Sequence, residues 1–381
     1  MIPYGRQDIN QSDIDAVVNV LRSDFLTQGP QVPKFEQLVA EYCRADYAVA
    51  VNSATAALHL ACLALDLQKG DWLWTSPNSF VASANCALYC GASVDFVDID
   101  SLTYNISVED LEKKLILSEI ENKLPKILIP VHFAGQACDM RKIYSLSKKY
   151  GFKIIEDASH AIGGSYLDQP IGSCQYSDIT VFSFHPVKII TTGEGGMAMT
   201  NNEALANKMA TLRSHGISRD SNLMTHEPDG PWYYQQIDLG FNYRMTDLQA
   251  ALGISQINRL DKYVRIRHKI AKKYDEGLKD CQLKIPFRHK DSFSAFHLYV
   301  IRLNNKTNHL KVFKSLRNNG IGVNLHYIPI HTQPYYQKMG FKPNQFPEAL
   351  KYYREAISLP MYPLLENQEQ QEVIKSLVKV L

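Results

Sequence analysis

Residues Lys153 to Thr200 read KIIEDASHAIGGSYLDQPIGSCQYSDITVFSFHPVKIITTGEGGMAMT. Three short apolar runs in this stretch, Lys153–Glu156, Thr180–Phe184 and Met197–Thr200, have the length and composition of buried strands. The same rhythm continues upstream. Strand-like Tyr47–Val51, Trp72–Thr75, Val94–Val97 and Ile127–Val131 alternate with helix-like Ala54–Leu65, Phe80–Tyr89 and Met140–Lys149. An opening helix spans Ser12–Arg22, with Ser12 as N-cap and Ile14, Val17, Val18 and Leu21 on one face. Strands alternating with helices imply parallel strands joined by crossovers, with both sheet faces covered. Downstream, one long helix from about Thr246 to Asp275 links to a strand (His297–Leu303), a helix (Asn308–Asn318), a strand (Gly322–Leu325) and late helices. The expected fold is therefore α/β. Residues 1–245 form a large domain on a mostly parallel sheet; residues 246–381 supply the linking helix and a small C-terminal α+β domain.

Composition narrows the function classes. The 381 residues carry 41 basic and 39 acidic side chains, a formal net charge of +2. A nucleic-acid protein usually carries a basic stripe, so that partner is not expected, although a local anion pocket fits the balance. Seven cysteines, odd in number and without C-x-x-C, read as buried free thiols in a reducing compartment. The opening MIPYGRQDIN lacks a signal-peptide pattern, and no apolar run has membrane-spanning length. The expectation is a cytoplasmic protein with no membrane partner. The twelve histidines are scattered: His326 and His331 flank Pro329 without a third ligand, so no metal site is expected.

The chemistry gathers around two residues. Lys188 lies in an apolar stretch just after one strand and before the Gly-rich turn Gly193-Glu-Gly-Gly196. A lysine held there loses hydration and gives up its proton more easily, which makes it a candidate Schiff-base nucleophile. A lysine picked blind is a solvated surface group; the apolar context argues otherwise. Asp157 ends a strand in the Glu156-Asp157-Ala-Ser-His160 segment, at the sheet edge where open α/β folds bind ligands. A carboxylate there pairs with the pyridine nitrogen of pyridoxal phosphate (PLP); the bland alternative is a turn cap. His160 is either a ring contact or a packed core histidine. Asn52-Ser-Ala54-Thr55 opens a helix straight after a strand, an anion site or an ordinary helix start. Phe80, past another strand end, is a stacking aromatic or a core one. Neither G-x-x-x-x-G-K-[ST] nor a first-strand G-x-G-x-x-G occurs, so ATP and dinucleotide readings lack their fingerprints.

Together these pieces resemble the DegT/DnrJ/EryC1/StrS family of sugar aminotransferases, from Ile2 to about Leu381. The motifs are Glu156-Asp-Ala-Ser-His160, Ser183-Phe-His-Pro-Val-Lys188 with Thr191-Thr-Gly-Glu-Gly-Gly196, Leu212-Arg-Ser-His-Gly216, Leu239-Gly-Phe-Asn242-Tyr-Arg-Met and Ile2-Pro-Tyr-Gly. The resemblance implies the fold of the aspartate aminotransferase superfamily, PLP as cofactor, and a homodimer with shared active sites. It implies that Lys188 carries PLP and shuttles the proton, and that Asp157 binds the ring nitrogen. His160 stands near the ring hydroxyl where many members have Gln, and Phe80 stacks on the ring. Ala54, Thr55 and Ser183 contact the phosphate, and Asn242 reaches it from the neighbouring subunit. Tyr4, Leu26-Thr27-Gln28-Gly29 and Asn324-Leu325-His326-Tyr327 resemble sugar-nucleotide contacts, with Ala54, Ser183 and Asn242 at their border.

Within the family, the Lys188, Leu26–Pro30 and Asn324–Pro329 segments look most like the pseudaminic acid branch. That implies L-glutamate as amino donor and a UDP-linked 2-acetamido-2,6-dideoxy-4-keto hexose as acceptor, with UDP-4-amino-4,6-dideoxy-N-acetyl-beta-L-altrosamine as product. The rivals are an aminotransferase for another nucleotide-linked 4-keto or 3-keto sugar and a non-catalytic PLP- or sugar-binding regulator. A C3 dehydratase of the same fold is disfavoured because such relatives carry His where Lys188 stands. An NAD-dependent dehydrogenase is disfavoured by the missing glycine fingerprint.

Overall fold

The computed structural model describes residues 1–304 and 306–381. The chain opens with α1 (Gln11–Leu21), entered through a capping box. The Asn10 side chain accepts from the Asp13 N–H, and the Asp13 carboxylate accepts from the Asn10 N–H. The N-cap is thus Asn10, two residues before the expected Ser12. Next comes α2 (Gln31–Cys43), which buries Val32, Phe35, Val39, Ala40 and Cys43. It lies outside the elements expected from the sequence; Pro30 and Pro33 both sit at its entrance, where a missing N–H does no harm.

The alternating part then follows: β1 (Tyr47–Val51), α3 (Ala54–Ala64), β2 (Trp72–Thr75), α4 (Ala82–Tyr89), β3 (Ser93–Phe96), α5 (Val108–Ile120), β4 (Ile127–Ile129), α6 (Met140–Tyr150) and β5 (Lys153–Asp157). A two-residue hairpin, β6 (Ser165–Tyr166) and β7 (Gln169–Pro170), precedes β8 (Ile179–Ser183) and β9 (Gly196–Thr200). Seven strands form one sheet in the order β1-β9-β8-β5-β4-β2-β3. Four of its pairings are parallel, as the alternation implies. β9 is the exception and runs antiparallel to both β8 and β1. No helix fills the 184–195 connection, so the chain turns back beside the strand it has just left. The result places the ends of β1, β5 and β8 and the start of β9 on one sheet edge.

After α7 (Glu203–Leu212) and the short pair β10 (Ile217–Ser218) and β11 (Gln235–Gln236), the expected single helix over 246–275 is two: α8 (Asp247–Ile257) and α9 (Leu260–Leu278). They break at Asn258–Arg259, where the Arg259 guanidinium binds the buried Asp13 carboxylate at 2.5 Å. Ala250 and Ile257 of α8 belong to the same core as α2 and the central sheet. α9 starts in that core with Leu260, Tyr263 and Val264, then contributes Ile270, Ala271, Tyr274 and Leu278 to a second one. This second core lies under β12 (Leu283–Lys284), β14 (Tyr299–Leu303) and β15 (Ala356–Leu359), an antiparallel sheet covered by α10 (His309–Asn318) and α13 (Asn367–Val380). A further short strand, β13 (Ser292–Phe293), pairs with β6. Two small helices, α11 (Pro334–Lys338) and α12 (Pro347–Glu355), lie between α10 and β15.

The expected strand Gly322–Leu325 is absent; only single bridges form, Ile2 to Ile321 and Asn324 to Ser358. Its backbone groups are used elsewhere. The Gly322 N–H donates to Ile2, and the Arg317 side chain donates to the Val323 carbonyl. Among the described residues, no helix is long and apolar enough to cross a membrane.

Candidate active site

The shared sheet edge opens into a cavity of about 850 Å³. The turn after β5, the β8–β9 connection, the start of α3, the turn before α4, Tyr4 and the Asn324–Tyr327 segment all line it. Asp157 is 5% exposed at the floor. One of its oxygens accepts from the Ser159 N–H (3.1 Å) and hydroxyl (2.6 Å); the other accepts from the Ser83 hydroxyl at 2.6 Å. The Ser159 contact is the turn cap of the bland reading. It coexists with a cavity-facing position, because a carboxylate offers about four acceptor directions and three are filled. Ser83 is in turn held by Ser79 at 2.7 Å. The Ser83 contact was not legible in the sequence, since Ser83 lies on a helix 74 residues away.

Lys188 projects into the same cavity from the β8–β9 connection. Burial pushes its amine down to about 8, partly offset by the Asp157 carboxylate. It is the one lysine or arginine among the residues lining the cavity, and it forms no salt bridge among the described residues. A desolvated amine opposite a buried carboxylate is the arrangement a carbonyl-binding lysine needs.

The start of α3 forms the third pole. Ser53 caps it by accepting from the Ala56 N–H at 3.2 Å. The Ala54 and Thr55 N–H groups have no backbone or side-chain acceptor among the described residues, and both residues face the cavity. Gly196 makes this close approach feasible. A Cβ there would sit 2.5 Å from the Ala54 nitrogen and 2.6 Å from the Ser53 oxygen. Free N–H groups at a helix start form an anion cradle. Ser183 lines the wall nearby. Phe80 lies in the turn before α4, not in the helix as expected, and remains 59% exposed at the cavity, so one aromatic face is available to a planar ligand. These features fit a phosphorylated pyridine aldehyde: a carboxylate for the ring nitrogen, an amine for the aldehyde, an N–H cradle for the phosphate and a flat apolar face for the ring.

On the opposite wall, His160 contacts Tyr327 (3.0 Å), His326 contacts Ser358 (2.8 Å), and Tyr4 lies with its ring 5.4 Å from that of His326. Asn324 and Leu325 complete this wall. His297, which the sequence did not single out, stacks at a tilt on His160 with ring centroids 4.4 Å apart. It lies in the loop before β14, so no pattern in the sequence flagged it.

Five of the anticipated residues do not line this chain's cavity. Leu26, Thr27, Gln28 and Gly29 lie against α8, where the Asp247 carboxylate accepts from the Gly29 N–H at 2.7 Å and Thr27 bridges to Thr246. Asn242 is exposed on a neighbouring turn and bridges to Ser214. Among the described residues, no cluster of three or more His, Cys, Asp or Glu could hold a metal.

The comparisons with known proteins show the family to which the chain belongs. The model of the DegT/DnrJ/EryC1/StrS aminotransferase family matches residues 7–378. The chain is 38% identical to UDP-4-amino-4,6-dideoxy-N-acetyl-beta-L-altrosamine transaminase of Campylobacter jejuni, over 100% of this chain and 98% of that protein. Among solved structures it resembles Helicobacter pylori PseC, an aminotransferase involved in the biosynthesis of pseudoaminic acid. The TM-score is 0.91 at 31% identity, over 100% of this chain and 98% of that one. It also resembles the PLP-form of Spr1654 from Streptococcus pneumoniae, a sugar aminotransferase by its description, with a TM-score of 0.89 at 28% identity over 100% and 99% of the two chains.

Proposed function

Since this chain belongs to the DegT/DnrJ/EryC1/StrS aminotransferase family, whose members are PLP enzymes, we propose that it transfers the amino group of L-glutamate to C4 of a UDP-linked 2-acetamido-2,6-dideoxy-4-keto hexose. The product is UDP-4-amino-4,6-dideoxy-N-acetyl-beta-L-altrosamine, an intermediate of pseudaminic acid synthesis. The observation that carries the reading is the partly buried, desolvated Lys188 amine facing Asp157 across a cavity that opens at the α3 cradle. The full-length match to the Campylobacter jejuni transaminase supports this sugar.

When bound, PLP supplies an electron sink for the charge left as a proton departs from the amino carbon. The chain's own groups do the rest. Asp157 binds the ring nitrogen, oriented by Ser83 and Ser159. Ala54, Thr55 and Ser183 hold the phosphate, and Phe80 covers one ring face. Lys188 Nζ holds the cofactor covalently between turnovers. When free, the same amine would act as the base that takes the proton from glutamate Cα and as the acid that gives it back. An amine brought down to about 8 is well placed for both directions near neutral pH. Tyr4 and the Asn324–Tyr327 segment bind the sugar nucleotide. Asn242 and Leu26–Gly29, outside this chain's cavity, serve the cavity of a partner subunit.

The test is incubation of the purified chain with PLP, L-glutamate and the UDP-linked 4-keto sugar, with the product read by NMR. The axial or equatorial C4 amine and the release of 2-oxoglutarate are both visible there. A preference for a 3-keto or dTDP-linked sugar would assign the chain to another branch of the family.

A further inference from the structure

His160 has both ring nitrogens committed. Its Nδ1 accepts from the Ala134 N–H at 3.3 Å, and its Nε2 lies 3.0 Å from the Tyr327 hydroxyl. A backbone N–H can only donate, so Nδ1 carries a lone pair and neutral His160 carries its hydrogen on Nε2. Burial and the nearby Lys188 charge hold His160 well below the usual histidine range, so it stays neutral. Nε2–H therefore donates to the Tyr327 oxygen. Burial pushes the Tyr327 phenol up, so it keeps its own hydrogen. That hydrogen cannot point back at His160 and has no acceptor among the described residues, while Tyr327 lines the cavity.

From this hydrogen-bond direction we infer that Tyr327, not His160, donates the hydrogen bond to the 3-oxygen of the PLP ring, and that His160 is the positioning residue behind it. The inference rests on the proposed binding of PLP in this cavity. With Asp157 at the ring nitrogen, Lys188 at the carbon on C4 and the α3 cradle at the arm on C5, the oxygen on C3 faces the remaining wall. His160 and Tyr327 build that wall. The geometry of the pair is firmly held. His297 packs on His160 at 4.4 Å, and Ala134 sits on the turn after β4, which Asn105 ties down through the Phe133 N–H at 2.9 Å. The titratable groups surrounding the pair are Asp157, Lys188, His297, His326, Tyr4 and Tyr352.

The test reads the bound cofactor's visible absorbance against pH, in wild type and Tyr327→Phe. A donor to the 3-oxygen favours its anionic form, so its loss raises the midpoint of the spectral change by about one to two pH units. A midpoint within about 0.3 units of wild type would overturn the inference while leaving PLP binding intact, a threshold well under the smallest shift one charge-assisted bond gives. A wild-type chain with no Lys188-dependent absorbance would overturn the proposed function and this inference with it. A second measurement needs no Tyr327 variant. In 15N-histidine-labelled wild-type protein, with the His160 signals identified by their loss in His160→Gln, Nδ1 should be unprotonated and Nε2 protonated from pH 5.5 to 8.5, a range chosen to bracket the usual histidine value. The opposite tautomer in that range would make Nε2 an acceptor, free the phenol hydrogen from its constraint and overturn the assignment.

Discussion

At the scale of single residues, Asp157 shows how two readings of one side chain can both hold. As a strand-end aspartate it caps its own turn through Ser159, and with its other oxygen it meets Ser83 from α4. The first contact is local and visible in sequence; the second depends on the sheet bringing α4 beside β5. If Asp157 pairs with the ring nitrogen, Asp157→Asn should fold and bind PLP but lose kcat by about a hundredfold or more, because its charge acts mainly in the transition state. Near-normal kcat would leave it as a turn cap alone. Lys188 gives a second expectation with a definite sign. Burial lowers its amine to about 8, and the Asp157 charge opposes that shift. Covalent uptake of PLP by the apoprotein, measured by absorbance in stopped flow, should therefore rise with pH around a midpoint near 8, not near 10.5. In Asp157→Asn the opposing charge is gone, and the midpoint should move lower still. Borohydride reduction and peptide mapping should place the adduct on Lys188; an adduct on another lysine would remove it from the site.

Among elements, the strands were the most legible, because each is a short apolar run closed by polar or small residues. Tyr47–Val51 and Trp72–Thr75 are as read, and the other long strands shift by one or two residues. What failed depended on partners distant in sequence. The 246–275 helix broke where Arg259 meets Asp13, and Gly322–Leu325 gave its backbone to Ile2 and Ser358. One element-level device was invisible in the sequence. β1 is an edge strand of the large sheet, and its Ala50 N–H donates to Glu36 of α2 at 2.8 Å while its carbonyl accepts from Arg213 after α7 at 2.7 Å. Glu36 and Arg213 also pair with each other. This clamp lies three residues before the Ser53 cap, so it sets where the α3 cradle sits. Arg213 lies in the Leu212–Gly216 motif, which otherwise offers no chemistry. Arg213→Met should weaken PLP binding about tenfold, in line with losing a charge-assisted bond, with Lys188 chemistry otherwise intact. Fluorescence titration with PLP would check it, and unchanged affinity would reduce the clamp to edge protection.

For the whole molecule, α9 passes from the core under the large sheet to the core under the small one, and we propose it as the link between a large unit and a small C-terminal unit. The cavity raises a charge problem that one chain does not solve. A UDP-sugar brings a diphosphate, glutamate brings two carboxylates and PLP a phosphate, yet Lys188 is the one lysine or arginine lining the cavity. Asn242 and Leu26–Gly29, read from resemblance as ligand contacts, lie outside it. Both facts are met if a two-fold partner completes each site, which places two equivalent sites at one isologous interface. The decisive experiment mixes two impaired variants, Lys188→Ala and Asn242→Ala, under conditions that allow subunit exchange. In a mixed dimer, one site collects both defects. The other takes Lys188 from the Asn242→Ala chain and Asn242 from the Lys188→Ala chain, so it is whole. With statistical exchange, about half the dimers are mixed and each has one intact site, so activity should return to about a quarter of wild type. If Asn242 serves its own chain's site, every site in the mixture keeps a defect. Activity would then stay at the level of the two parents after light-scattering or mass measurements have shown that the subunits exchanged.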